Sequence, residues 1–181
     1  ARLAGMPSVL SRRVDNPEAG WWARLKYRQY ARVICISDGI AAVLHAEGVE
    51  TQRIRTVRSV VDAPAWTAPA PRAEFHAEFG LPAGRLVAGV VAQLIERKGH
   101  RVLFEALARI APQRRPFVVC FGQGPQREAL DAEVARLGLG ADVRFAGFRN
   151  DLPRWMGSLD LLVHPAYMEG LGVSLLQAAA A

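Results

Sequence analysis

The stretch LVAGVVAQLIERKGHRVLFEALARIAPQRRPFVVCFG, Leu86–Gly122, decides the fold. Its two ends, LVAGVVA and PFVVCFG, are uninterrupted apolar runs of strand length. Between them GHRVLFEALARIA has helical spacing, with Val102, Leu103, Ala106, Leu107 and Ile110 on one side. Two apolar strands joined through a helix run parallel, and the absence of alternation predicts a sheet covered on both faces. The rhythm continues downstream. PQREALDAEVARLG is predicted as a helix from Pro125 to Gly138, DVRFAG as a strand and DLPRWMGS as a short helix. DLLVHP is a further strand and GVSLLQAAAA a closing helix. The fold class is α/β, a Rossmann-like parallel sheet covered by helices. In such sheets ligands bind at the carboxyl ends of the strands.

Working outward towards the N-terminus, PSVLS and RVICIS read as strands. PEAGWWARLKYRQYA between them reads as a helix entered through Pro17. Ser37 is placed to cap a second helix, DGIAAVLHAEG, that stops at Gly48, and RIRTVRSVV is a further strand candidate. The texture changes at Asp62, after which Pro64, Pro69, Pro71 and Pro82 forbid a long helix. A short helix from Pro71 to Gly80 still fits. The expected organisation is a partial first lobe over residues 1–62, a Pro-rich connection over 63–84, and a binding lobe over 85–181 that is incomplete at its C-terminal end. The chain thus reads as a piece of a longer protein.

Composition narrows the function classes. Of 181 residues, 51% are apolar, and no run is long enough to span a bilayer. The opening ARLAGMPSVLSRR is broken by Gly5 and Pro7 and does not read as a secretory signal. The charge of +6 comes from arginines scattered over helices and loops. That pattern suits anionic substrates or a lipid surface and argues against nucleic acid as a partner. Cys35 and Cys120 both sit in buried-strand patterns and are expected as reduced thiols of a cytoplasmic protein. His45, His76 and His100 have no partner at metal-ligand spacing, so no metal site is expected.

Each chemically suggestive stretch falls at a strand end. In VAQLIERKGH, Arg97 and Lys98 precede Gly99 at a helix start, an arrangement that suits phosphate or equally a solvated charge pair. FGQGPQR begins like a dinucleotide fingerprint, but Arg127 stands at the third glycine position, and Gly122 and Gly124 fit a tight strand-to-helix turn better. In FAGFRND, Phe148 and Arg149 could hold a base, or Asp151 could simply cap the next helix. In HPAYMEGLGVSLLQ, Gly170 and Gly172 leave backbone amides open to a diphosphate. Glu169 there would accept from sugar hydroxyls, with Gln177 two turns inward on nearly the same face. A plain helix cap with a packing gap is the competing reading. His164, before Pro165, is expected as a pocket wall rather than as a base.

Taken together, VAQLIERKGHRVLFEAL, VVCFGQGPQREAL and DVRFAGFRNDLPRWMGSLDLLVHPAYMEGLGVSLLQAAAA resemble the family 4 (group 1) retaining glycosyltransferases of the GT-B superfamily. RVICISDGIAAVLHAEGVETQRIRTVRSVVD is similar to the end of that family's first lobe. The resemblance implies a nucleoside-diphosphate sugar as substrate, no cofactor, no obligatory metal, and a carbohydrate or lipid-linked acceptor in envelope polysaccharide or lipopolysaccharide synthesis. It implies that Lys98 holds the donor diphosphate and that Glu169 contacts the donor sugar. Phe148 and Arg149 would match the base loop, and Gln177 the ribose position. Gly170, Leu171, Gly172 and Val173 would present the amides, with Glu96 a further nucleotide contact. Two departures stand out. Gln93 replaces an arginine that many members place on the diphosphate, and Gln177 replaces the second glutamate; Arg97 could stand in for the lost cation. The family's catalytic histidine and acceptor site belong to a part of the first lobe outside this chain, so the chain is expected to be inactive alone.

Three readings follow: a retaining glycosyltransferase, a non-catalytic nucleotide-sugar binding module suggested by the two glutamines, and a nicotinamide- or flavin-linked protein. The broken glycine fingerprint disfavours the third. WWARLKYRQY interleaves aromatic and basic residues, which suits peripheral contact with an anionic membrane at its inner face or, alternatively, a packed helix. Open sheet edges make self-association an expectation as well.

Overall fold

The computed structural model describes residues 5–18 and 20–181. They divide into two compact units. One comprises the described part of Ala1–Val60 together with Met168–Gly172, and the other comprises Val61–Tyr167 and Val173–Ala181.

The first unit is a parallel sheet in the order β1 (Val9–Arg12), β2 (Arg32–Cys35), β3 (Ile54–Thr56). Val33 pairs with Leu10 on one side and with Ile54 on the other. Helix α1 (Trp21–Arg28) begins after Gly20 rather than at Pro17, and Ala19 of the expected helix lies outside the described residues. Gly20 has φ 107°, a backbone setting that ends the preceding loop and that other residues resist. Helix α2 (Asp38–Ala46) starts as expected, with the Ser37 hydroxyl accepting from the Ile40 amide at 3.3 Å. Val33, Cys35, Ile40, Leu44 and Tyr27 build the core, and Leu171 packs on it. Trp21 and Trp22 stack on each other at 3.8 Å and are both about two-thirds exposed. Arg12, at the end of β1, is buried yet satisfied. It donates to the carbonyls of Val14 (3.0 Å) and Asn16, to Glu18 (2.6 Å) and to the Tyr27 hydroxyl.

The second unit is a parallel sheet in the order β6 (Val143–Gly147), β5 (Phe117–Phe121), β4 (Val87–Val91), β7 (Leu161–Leu162). Every residue of β5 is buried. Two separate clusters cover its faces. Val118 and Cys120 join Phe104, Leu107 and Leu130 in one, while Val119 and Phe121 join Phe75, Phe79 and Trp155 in the other. Helix α4 (His100–Ala108) buries His100, Phe104 and Leu107, so its inward stripe follows i, i+4, i+7 from His100. This corrects the stripe expected from the sequence, because Val102 and Ile110 are exposed and Ala106 faces solvent as well. The ring of Phe104, being larger, takes the core position.

The Pro-rich stretch is part of this unit. Helix α3 (Arg72–Phe79) ends at Gly80 in the left-handed conformation, φ 60°, and it buries Phe75 and Phe79. Arg72 forks onto Asp160 at 2.8 Å twice, and Asp160 accepts from the Val87 amide at 2.6 Å, tying this helix to the start of β4. Helices α5 (Arg127–Arg136), α6 (Leu152–Met156) and α7 (Val173–Ala180) follow. Leu175 and Leu176 of α7 are exposed, and Ser174 is its buried residue. Both cysteines are free and buried, and burial pushes the Cys120 thiol up to about 12. No helix among the described residues is long and apolar enough to cross a membrane.

Candidate functional site

The strand order 6-5-4-7 reverses direction at β4. The chain steps outward from β4 to β6, then returns to pair β7 on the other side of β4. This reversal is where an open parallel sheet leaves a crevice beyond its carboxyl ends. The loops that follow β4, β5 and β7 are held against one another there. The Ala92 amide donates to Phe121 O at 3.0 Å, the Leu94 amide to Gln123 O at 3.1 Å, and the Gln126 amide back to Leu94 O at 3.1 Å. A side chain on Gly122 (φ 142°) would run into the Ala92 carbonyl oxygen, so glycine is required there by contact and by conformation alike. The turn that the sequence suggested at Gly122 and Gly124 is thus a surface on which the β4 loop lies.

On the other flank, the Tyr167 amide donates to Arg97 O at 3.2 Å. Gly99 (φ 71°) opens α4 with its α-carbon against the Pro165 carbonyl, where a β-carbon would collide. Glu96–Lys98 forms a single 3-10 turn that presents Arg97 and Lys98 just before the first turn of α4. His164 faces the Ser174 hydroxyl, Nδ1 to Oγ 3.3 Å.

A cavity of about 300 Å³ lies over the ends of β4, β5 and β6. Gln93, Phe148 and Arg149, distant in sequence, line it together with Gly122, Gln123 and Leu152. Phe148 is 63% exposed, standing on a loop that leaves β6 through Gly147 with φ 72°. Arg149 is heavily engaged. Its Nε and Nη2 fork onto Asp151 at 2.7 Å each, Nη1 donates to Glu78 at 2.8 Å, and the guanidinium lies 5.4 Å from the Phe79 ring and 5.8 Å from Trp155. The fork, with a further bond from Trp155 Nε1, holds the Asp151 carboxyl down to about 2. Asp151 precedes α6 as expected, but its side chain does not cap that helix, because Arg149 and Trp155 take both oxygens.

The remaining expected site residues fall elsewhere. Val173 and Gln177 are on α7 in the second unit, whereas Met168–Gly172, carrying Glu169, Gly170, Leu171 and Gly172, groups with the first. Gly170 lies against the Arg13 carbonyl and the Ile40 side chain, so its missing side chain is explained by packing. No cluster of His, Cys, Asp and Glu that could hold a metal occurs among the described residues. Sequence reasoning did not single out Gln123, Leu152 or Glu78. The first two could have been found as neighbours of strand ends, but Glu78 carried no signal.

Known proteins resemble this chain in sequence and in fold. The family described as glycosyl transferases group 1 matches residues 71–181. The 2-deoxystreptamine glucosyltransferase of Streptomyces kanamyceticus is 35% identical over 172 residues, covering 92% of this chain and 44% of that protein. The lipopolysaccharide glucosyltransferase WaaG of Escherichia coli is 39% identical over 84 residues, covering 45% of this chain and 22% of WaaG. Among solved structures, Anabaena Alr3699/HepE in complex with UDP-glucose superposes with a TM-score of 0.86 at 24% identity, over 99% of this chain and 52% of that one. The crystal structure of WaaG gives 0.76 at 24%, over 97% and 55%. The chain spans about half the length of the curated relatives that match it along most of its length.

Proposed function

This chain belongs to the glycosyl transferases group 1 family, and on that premise we propose that the protein carrying it moves a sugar from a nucleoside-diphosphate sugar to an acceptor with retention of configuration. The observation that carries the proposal is the cavity where Gln93, Phe148 and Arg149 converge at the carboxyl ends of β4 to β6, inside the region matched by the family. It has the chemistry of a base pocket: an exposed aromatic ring, neutral carboxamides and apolar walls. Further along the connection that follows β4, the turn carrying Lys98 opens α4, and the ammonium and first helix amides suit a diphosphate. In this reading Lys98 and the amides stabilise the departing nucleoside diphosphate. Arg97 supplies the cation that Gln93 lacks, Glu169 contacts the donor sugar, and Gln177 takes a ribose hydroxyl. No metal or cofactor is required.

The acceptor is proposed to be a carbohydrate or a lipid-linked glycan, since relatives include lipopolysaccharide and aminocyclitol glycosyltransferases. A cytoplasmic protein that touches the inner membrane face through Trp21 and Trp22 fits a lipid-linked acceptor. The chain by itself is proposed to lack activity, because relatives supply about as many residues again.

The test uses the full-length protein. Calorimetric titration with UDP, ADP, GDP and NAD, followed by turnover of UDP-glucose with the product's anomeric configuration read by NMR, checks the proposal. Lys98→Ala is expected to weaken nucleoside-diphosphate binding by about tenfold or more, the weight of a charge-assisted hydrogen bond. Binding of NAD in preference to every nucleoside diphosphate would overturn the reading. Gln177 favours one second reading, a binding module without turnover. Tight nucleotide-sugar binding with no product, and product appearing on Gln177→Glu, would select it.

A further inference from the structure

Arg149 lines the cavity, yet its guanidinium nitrogens bond the protein's own carboxylates. Asp151 occupies Nε and Nη2, Glu78 occupies Nη1, and Phe79 and Trp155 lie close to the guanidinium. A planar cation engaged by a two-point fork, a second carboxylate and two rings has little freedom to swing onto a base. Its neighbour is the opposite case. Phe148 offers a largely exposed ring at the cavity rim. Its backbone lies between Gly147, whose carbonyl accepts from the Gly122 amide at 2.7 Å, and Arg149.

We propose that Glu78, Asp151 and Arg149 form a brace that sets the position of Phe148 as the stacking wall of the base pocket, making Glu78, on helix α3, a positioning residue for donor binding. The inference rests on the donor reading given above and assigns a role within that site to a residue that does not line it. Its physical basis is leverage. Arg149 is the next residue after Phe148, so anchoring its side chain to α3 fixes where the Phe148 backbone sits. An aromatic wall contributes to binding through face-to-face overlap, which a shift of the ring plane reduces steeply. The same brace occupies the Asp151 carboxylate, so the base is met by stacking and by neutral amide groups.

A double-mutant cycle in the full-length protein tests this. Phe148→Ala is expected to raise the donor KM, or the UDP dissociation constant, by about tenfold, with Phe148→Tyr restoring most of it. Glu78→Ala is expected to raise the same constants by about three- to tenfold while kcat and the acceptor KM stay within about twofold, with Glu78→Gln intermediate. The decisive readout is coupling: in the Phe148→Ala background, Glu78→Ala should add little, less than about twofold. Should the two changes multiply instead, or should Glu78→Ala leave the UDP constant unchanged, the brace is overturned. If Glu78→Ala proves poorly folded, Glu78→Gln in both backgrounds gives the same cycle. Failure of the wild-type protein to bind any nucleoside diphosphate would sink the donor reading and the brace with it. Binding that is insensitive to Phe148 would sink the brace alone.

Discussion

The two sheets of this chain are both parallel, but they are buried differently. In the second unit β5 is buried at every position, because α4 and α5 cover one face while α3 and α6 cover the other. In the first unit β2 alternates: Val33 and Cys35 are buried, Arg32 is exposed and Ile34 only half-buried. The difference shows that strand direction does not by itself impose two-sided burial; what matters is how many elements are present to cover the faces. The cavity-forming loops spring from the sheet packed on both sides, which suits a site that must hold fixed geometry.

The sharpest way to break this comparison is to place a charge on each face in turn in the isolated chain. Val118→Asp and Val119→Asp, pointing to opposite faces of β5, are each expected to abolish cooperative folding. A carboxyl group buried there without a partner, charged or neutralised, costs several kcal/mol, comparable to about the whole stability of a domain of this size. Val33→Asp should do the same to the first unit, but Ile34→Asp should cost only about 1 kcal/mol. Chemical denaturation followed by circular dichroism reads all four. Equal damage from Ile34→Asp and Val33→Asp would mean that the first sheet is covered on both faces after all.

A second contrast is between buried polar groups. Arg12 in the first unit is fully bonded, whereas the ring nitrogens of His100 in the second, buried in its core, have no hydrogen-bond partner among the described residues. Burial, with Lys98 nearby, lowers the His100 pKa to about 4, so the folded protein keeps a neutral imidazole. Between about pH 4 and 6.5 the unfolded chain therefore binds a proton that the folded one does not. Stability should rise with pH across that window, by an amount on the order of 3 kcal/mol, and level off above it. His100→Leu should flatten the slope, as measured by denaturant midpoints at pH 4.5, 5.5 and 7. The Asp151 carboxyl, held at about 2, adds a sensitivity of the same sign in a lower window: its stabilisation is present above about pH 4 and is lost only as pH falls towards 2.

The smallest expected change is at the surface. Trp21→Ala with Trp22→Ala should shift folding stability by no more than about 0.5 kcal/mol, since the stacked rings are mainly exposed. The same pair should reduce sedimentation with vesicles containing anionic phosphatidylglycerol severalfold. Unchanged sedimentation would remove the membrane role proposed for α1, where Lys26 is already bonded to Glu18 at 2.8 Å.

The sequence made the second sheet readable because β4 and β5 are continuous apolar runs, a signal that survives any detail of packing. The start of α2 was readable for the same kind of reason: Ser37 acts on its own amide neighbours. The face of α4 was not, since Val102 and Ile110 look as apolar as Phe104 and only the tertiary fit decides between them. The cavity was half readable. Strand ends pointed to Phe148 and Arg149, and the family resemblance to Gln93, but the role of Arg149 depends on Glu78, 71 residues away, and an ion pair at that separation leaves no trace in local spacing. Likewise Asp151 had the position of a cap and the company of a guanidinium, and the stronger partner took it.

The close approach of Gly99 to Pro165, with the Tyr167 amide on the Arg97 carbonyl, has a consequence for engineering. Two connections that are far apart along the chain behave as one exchangeable part. A chimera that imports the β4 connection from a relative while keeping the native segment at Pro165–Tyr167 would graft a key without its matching ward. On the donor reading proposed above, donor preference is expected to transfer between relatives only when both are moved together.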